Sequence, residues 1–312
     1  MMRSVTQSAF GGPSVLELAE VERPAPGYGE VLVKVGAAGV NPVDVAVRAG
    51  HYPLLGEPPF TLGWDLAGTV EAAGPGVSAF APGDEVLGMP AFPAEAKVYA
   101  DYVLVSPNEI VHRPTGLTVE EAGALPLAGL TAWQALVGIA RLQAGQSVLI
   151  HRAAGGVGHL AVQIAKARGA RVIGTARAAN HAFLRGLGAD VLIDYTVADF
   201  VTEAGPVDVV FDLLGGEYGE RSAAALRPGG LLVGALGGAM GGITPERAAE
   251  LGVRLEVVSV RPSAADLGRL VELVESGRLR VHVDQVLPLA EAAKAHELMA
   301  GGHTRGKIVL VP

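Results

Sequence analysis

Not one of the 312 residues is a cysteine. That excludes disulfides and thiolate metal ligands, and it is compatible with the cytoplasmic setting expected for this chain. Aromatic residues make up only 5% of the chain, but hydrophobic residues overall reach 50%, enough for an ample core. Positive charge is in deficit: 24 Lys and Arg face 32 Asp and Glu, a formal net charge of −8. Such a balance disfavours nucleic acid and anionic membrane as partners. No stretch approaches the roughly 20 uninterrupted apolar residues of a membrane span. The N-terminus lacks the charged-then-apolar layout of a signal peptide, since residues 15–18 already read as a strand. Internal repeats and low-complexity tracts are also missing.

Glycine, by contrast, is abundant at 43 residues, and six positions stand out by their context. Ala153-Ala154-Gly155-Gly156-Val157-Gly158 follows the apolar run at 147–151 and opens a helical pattern over 157–168. A glycine-rich loop between strand and helix lets backbone N–H groups approach a pyrophosphate, and the helix N-terminus adds unpaired donors with partial positive charge. Alanine occupies the first position of the usual G-x-G-x-x-G, and a bare match of this kind is weak in a glycine-rich chain. The surroundings strengthen it. Strand-like runs follow at 171–175, 191–193, 207–211, 230–234 and 254–258. Six apolar strands alternating with helical or loop segments predict a parallel sheet covered on both faces, the doubly wound dinucleotide fold.

NAD-binding chains usually carry an Asp or Glu at the end of the second strand, where it bonds the ribose 2′-hydroxyl. Residues 174–180 here hold no carboxylate, but do hold Thr175 and Arg177. These can hydrogen-bond and neutralise a 2′-phosphate, so NADP(H) is the expected cofactor. The alternative for Arg177 is a solvated residue opening the next helix. Tyr195, after the third strand, is placed to stack near the adenosine or to bond the same phosphate. Leu213 and Leu236, at the carboxyl ends of later strands, are expected to line the nicotinamide half.

The flanking segments read differently. Short β-like runs at 30–35, 67–72, 85–88 and 102–105 alternate with Pro/Gly turns at 26–27, 74–76 and 81–84. This pattern predicts a mainly antiparallel β-domain. Helical patterns at 263–276 and 289–299, a β-like run at 281–283 and a strand at 307–311 complete the chain. A late strand cannot easily extend the sheet past its sixth strand, so the tail is expected to return to the N-terminal domain. The expected organisation is one domain from 1–120 plus 262–312 and a nucleotide-binding domain over 121–261.

Read together, Asn41-Pro42-Val43-Asp44, Leu62-Gly63-Trp64-Asp65-Leu66-Ala67-Gly68, Pro82-Gly83-Asp84-Glu85-Val86, Leu127-Ala128-Gly129-Leu130-Thr131-Ala132 and the 153–158 loop resemble the zinc-free medium-chain dehydrogenase/reductases. The resemblance is to their quinone oxidoreductase (zeta-crystallin-like) group and spans nearly the whole chain. It implies an α/β architecture of a GroES-like β-domain plus a Rossmann domain that binds NADPH, with the active site between them. Homodimers or tetramers, often joined through the last Rossmann strand, are also implied. Thr131 matches the threonine that touches the nicotinamide side in that family; its other reading is a threonine inside a helix.

Zinc-dependent relatives place a cysteine where this chain has Asn41 and a histidine where it has Trp64, so no metal is expected. Catalytic zinc needs about three side-chain ligands, and none of the eight histidines pairs with another at ligand spacing. Without a Lewis acid to hold an alkoxide, chemistry shifts toward acceptors needing less polarisation, namely quinones and α,β-unsaturated carbonyls. Asn41 is the first candidate for a polar group near nicotinamide and acceptor, with an Asx-turn or cap before Pro42 as the competing role. Tyr52 is a candidate hydrogen-bond or proton donor, or else a tyrosine at a loop edge. Asp44 is expected to order the backbone around Asn41. Trp64 and Phe60 read as an apolar wall or as core. Lys307 reads as a phosphate contact or a solvated strand residue. Two further functions share these features: reduction of enoyl thioesters, and non-catalytic NADPH binding in a structural or regulatory role.

Overall fold

The computed structural model of the chain describes residues 1–235 and 243–312. It divides into two compact units, one of Met1–Leu130, Arg261–Glu275 and Val281–Pro312, the other of Thr131–Val260 and Ser276–Arg280.

The first unit carries strands β1 (Met2–Gln7), β2 (Glu17–Val21), β3 (Val31–Val40), β4 (Phe60–Thr61), β5 (Asp65–Ala73), β6 (Glu85–Gly88), β7 (Tyr102–Val105) and β8 (Ile110–His112). The second contributes β9 to β14, and the chain returns to the first with β15 (Val283–Pro288) and β16 (Lys307–Val311). A small sheet has the order β2-β1-β4, and the larger runs β15-β16-β3-β5-β6-β8, with β7 also on β3. All its pairings are antiparallel apart from β15 with β16. The predicted return of the tail is observed: β16 lies antiparallel to β3, with Ile308 opposite Val40 and Leu310 opposite Ala38. This pairing brings Lys307, at the start of β16, beside the end of β3.

Several element boundaries differ from expectation, two of them at strand starts near the chain's ends. Pro13 opens a short 3-10 turn, Pro13–Val15, so the strand predicted at 15–18 begins only at Glu17; proline's fixed φ favours a helical first turn. The run at 281–283 becomes a strand only from Val283.

The second unit is built on β9 (Ser147–Ile150), β10 (Arg171–Thr175), β11 (Val191–Ile193), β12 (Val207–Asp212), β13 (Leu226–Ala235) and β14 (Arg254–Val258). All are parallel, in the order β11-β10-β9-β12-β13-β14. Leu149, Ile173, Val210 and Leu232 on the strands pack with Phe200 and Ala223 from the covering helices. Burial on both faces is why these strands read as continuous apolar runs rather than alternating ones. Strand order reverses between β9 and β12, and ligands of such sheets sit beyond the carboxyl ends of the strands at that switch point. The chain's six-strand expectation and its doubly wound topology are therefore met. Among the described residues, no helix is long and apolar enough to cross a membrane.

Candidate functional site

The glycine-rich loop sits at the switch point. β9 ends at Ile150, and the helix Gly156–Ala167 begins after Gly155, whose hydrogen side chain leaves the first turn without a side-chain cap. The first N–H groups of any helix lack intrahelical partners, so this mouth presents donors to an anion. Ala154 and Gly155 are buried, whereas Gly156 and Val157 are partly open. Gly158 serves packing: a Cβ there would lie 2.3 Å from the Arg152 carbonyl oxygen and 2.7 Å from the Ala153 Cα. Only glycine lets helix and loop approach this closely.

The neighbouring strand ends carry the residues expected at the ribose. Arg177 and Tyr195 are brought together, the Arg177 Nε donating to the Tyr195 hydroxyl over 3.2 Å, with both side chains exposed. Thr175 is not with them. Strand alternation turns it inward to 2% exposure, where its hydroxyl lies 3.2 Å from His151 Nδ1. The expectation that Thr175 bonds a 2′-phosphate is thus corrected: its hydroxyl serves the interior. A carboxylate that the sequence reading passed over, Asp194, lies close by, but its oxygens accept from Ala178 N at 2.8 Å and from Thr196 N and Oγ1. Those hydrogen bonds, led by the Thr196 hydroxyl, hold Asp194 below the usual carboxylate range.

His151, at the end of β9, is fully buried between Thr175 and the Ser222 hydroxyl, 3.0 Å from its Nε2. Burial pushes its imidazolium down to about 4; Asp212 opposes the shift and Arg221 adds to it. Asp212 closes β12 by accepting from Leu214 N and Gly215 N, which shapes the turn that carries the partly exposed Leu213. Leu236, the other residue expected at the nicotinamide half, lies outside the described residues. Thr131 is buried within the helix Pro126–Trp133.

The first unit holds a second polar constellation. Asn41 precedes the helix Pro42–Arg48, and its backbone N–H donates to Asp44 Oδ2 over 2.7 Å, the ordering role expected of Asp44. The Asn41 amide is engaged at both ends. Its Nδ2 donates to Asp65 Oδ2 over 2.9 Å, and its Oδ1 accepts from the Lys307 ammonium. Lys307 spends its other two donors on Val40 O at 3.1 Å and Asp65 Oδ2 at 2.9 Å. Asp65 Oδ1 accepts from Leu127 N at 2.5 Å, capping the helix Pro126–Trp133. Lys307 is 2% exposed, so it is neither solvated nor a phosphate contact; it anchors this network. No periodicity flags such a residue, because its partners are far away in sequence. Tyr52 lies on the turn after the Asn41 helix with its side chain 39% exposed, apart from the buried network. Trp64 and Phe60 are core: Trp64 is wholly buried, donates through Nε1 to Ala94 O, and packs edge-on against Phe92.

The donors at these positions do not fit a zinc ion. The Trp64 indole can only donate, and Asn41 and Asp65 already hold a buried ammonium that would repel a dication. Among the described residues, no group of three His, Cys, Asp or Glu could hold a metal.

Comparisons with known proteins agree with this architecture. Residues 27–115 match the alcohol dehydrogenase GroES-like domain, and residues 187–310 match a family described as zinc-binding dehydrogenase. A 2-haloacrylate reductase from a Burkholderia species is 37% identical, over 97% of this chain and 96% of that protein. The quinone oxidoreductase of Coxiella burnetii superimposes with a TM-score of 0.91 at 38% identity, covering 100% of this chain and 99% of that one. A mycobacterial protein solved in complex with NADPH superimposes with a TM-score of 0.89 at 33% identity, with 100% of both chains covered. Taken with the doubly wound sheet and its glycine loop, these matches establish an oxidoreductase that uses a nicotinamide cofactor. The chain belongs to the medium-chain dehydrogenase/reductases, within their quinone oxidoreductase group.

Proposed function

We propose that the chain is an NADPH-dependent reductase that delivers hydride to a quinone or an α,β-unsaturated carbonyl without a metal. The observation that carries this reading is the exposed Arg177–Tyr195 pair just beyond the ends of β10 and β11. A guanidinium and a phenol side by side match a 2′-phosphate, which a free carboxylate would repel.

The cofactor supplies the hydride. The helix mouth at Ala154, Gly155, Gly156, Val157 and Gly158 holds its pyrophosphate, and Thr131 and Leu213 bound its nicotinamide half. Hydride addition moves negative charge onto a carbonyl oxygen, so the protein must place donors and positive potential near it. The Asn41–Lys307–Asp65 network, an ammonium balanced by a carboxylate, fixes the Asn41 amide in place, and Tyr52, a partly exposed residue, is the candidate donor to the reduced acceptor. A 2-haloacrylate is itself an electron-poor alkene, so that relative's name supports conjugate reduction here. Assembly as a homodimer through β14, the terminal strand of its sheet, is part of the same reading; light scattering checks it.

The test is steady-state oxidation of NADPH and of NADH against 1,2-naphthoquinone, short enals and 2-enoyl-CoA. Turnover with NADPH on the first two classes is expected. Turnover confined to 2-enoyl-CoA would make the chain an enoyl-thioester reductase. Tight NADPH binding with no turnover would make it a binding protein.

A further inference from the structure

Between β9 and the glycine-rich loop, one residue holds a conformation that its side chain resists. Arg152 has φ +49°, inside the left-handed region that glycine adopts freely and arginine does not. Its neighbours hold it there. His151 N donates to Phe211 O on β12 over 3.1 Å, and Ala153 N donates to Thr175 O on β10, also over 3.1 Å. The His151 ring is fixed between the Thr175 and Ser222 hydroxyls. The turned-back Arg152 carbonyl accepts from Gly155 N at 2.9 Å, closing the loop in front of the helix Gly156–Ala167.

Nothing in that backbone scheme needs a side chain at position 152. Glycine would make the same hydrogen bonds without the strain. Non-glycine residues kept in sparsely populated backbone regions cluster at functional sites, where the surroundings over-determine them. What arginine adds here is a cation at the loop. A Cβ on Gly155 would lie 3.3 Å from Arg152 Cγ and 3.5 Å from its Nε, so the side chain folds over Gly155 at the helix mouth. It is partly buried there. Arg3, Arg113, Arg221 and Arg247 each pair with a carboxylate of this acidic chain. Among the described residues, the Arg152 guanidinium has neither a hydrogen bond nor an ion pair. It is left uncommitted beside the donors of a helix start.

We propose that Arg152 is a further cofactor-binding residue, its guanidinium donating to a phosphate of the dinucleotide beside the backbone N–H groups of the helix mouth. A guanidinium presents a planar fork of donors that matches phosphate oxygens. Backbone N–H groups at a helix start carry only partial charge, so a full charge beside them strengthens the grip. In a chain of net charge −8, that cation also makes the field at the loop attractive to an anionic cofactor. The proposal rests on the nicotinamide cofactor established above, and on neither the NADPH preference nor the acceptor. Two phosphate sources share this chemistry: the pyrophosphate common to both cofactors, and the 2′-phosphate of NADPH alone.

Calorimetric titration of the full chain with NADPH and with NADH, at about 20 mM and about 200 mM salt, tests this. Arg152→Gln keeps the stem and the strain but removes the charge. Its affinity should fall by about ten- to a hundredfold and should depend less on salt than that of the natural chain. Arg152→Lys keeps the charge and should recover part of the loss. Equal loss with both cofactors places the guanidinium on the pyrophosphate, and loss with NADPH alone places it on the 2′-phosphate. Arg152→Gly removes side chain and strain together, so it should bind as weakly as Arg152→Gln with a thermal midpoint no lower. Unchanged affinity in Arg152→Gln overturns the proposal, and so does a loss that leaves the salt dependence of the natural chain intact. A lower midpoint for Arg152→Gly than for Arg152→Gln overturns the strain argument. Preference of the natural chain for NADH refutes the NADPH reading, and the NADH titrations of the same variants then decide the role of Arg152.

Discussion

Lys307 Nζ stands 2.9 Å from Asp65 Oδ2, a buried ion pair that joins positions 242 residues apart and closes the C-terminal strand onto the N-terminal domain. Each charge is desolvated, and each is the other's opposite charge in direct contact. Removing one partner strands the other in a low-dielectric interior, which costs about 3–5 kcal/mol. Lys307→Met should therefore unfold at markedly lower urea concentration than the natural chain. Lys307→Met combined with Asp65→Asn should recover part of that loss, and a double variant no better than the single one would contradict the pairing.

Arg177→Ala removes the exposed guanidinium beside Tyr195. A lost charge-assisted bond to a phosphate should weaken NADPH by about 1–3 kcal/mol and leave NADH nearly unchanged. Calorimetric titration of both cofactors checks the ratio; an unchanged ratio makes Arg177 a bystander.

Gly158→Ala places a methyl 2.3 Å from the Arg152 carbonyl oxygen, against backbone that cannot give way cheaply. The helix mouth must then separate from the loop. NADPH affinity should fall at least tenfold, and thermal stability should fall with it. Normal affinity would show that the close approach is dispensable.

Stability should depend on pH through three buried groups. His151 and His296, lowered to about 4 and about 3 from 6.5, stay neutral when folded and take up protons only when unfolded. Their contribution is complete above the unfolded value and is lost as pH falls through the folded ones. Asp44, raised to about 7 from 3.8, acts oppositely: the folded chain keeps a proton that the unfolded chain releases, so stability declines as pH rises across that window. Two groups outweigh one, so stability to urea should rise from about pH 4.5 to about pH 6.5. His151→Asn should reduce that slope by up to about 1.4 kcal/mol per pH unit.

Activity should survive exhaustive chelation, because Asn41 and Asp65 are engaged by the Lys307 ammonium and the Trp64 indole can only donate. Loss of activity on chelation with recovery on zinc would overturn the metal-free reading.

The nucleotide-binding unit was legible because its signals are local. Strands buried on both faces appear as unbroken apolar runs, and the loop's glycines fall between a strand and a helix. Arg177 and Tyr195 were legible as strand-end residues, and they do meet. Thr175 was misread because composition at a strand end says nothing about which face a side chain takes; His151, passed over in sequence, claims it. The Lys307 network was illegible for a different reason. Its members lie on β3, β5, β16 and a helix start, and only the antiparallel return of β16 onto β3 brings them together. Such a cluster has no period and no spacing.

Hydride transfer itself is the central claim, and isotope transfer tests it most directly. The chain, freed of metal by chelation, is given an enal and NADPH deuterated at both C4 positions, and the saturated product is analysed by mass spectrometry and NMR. The account predicts a single deuterium on the former β-carbon. Saturated product without deuterium at that carbon, or no product while the cofactor is bound, would contradict it.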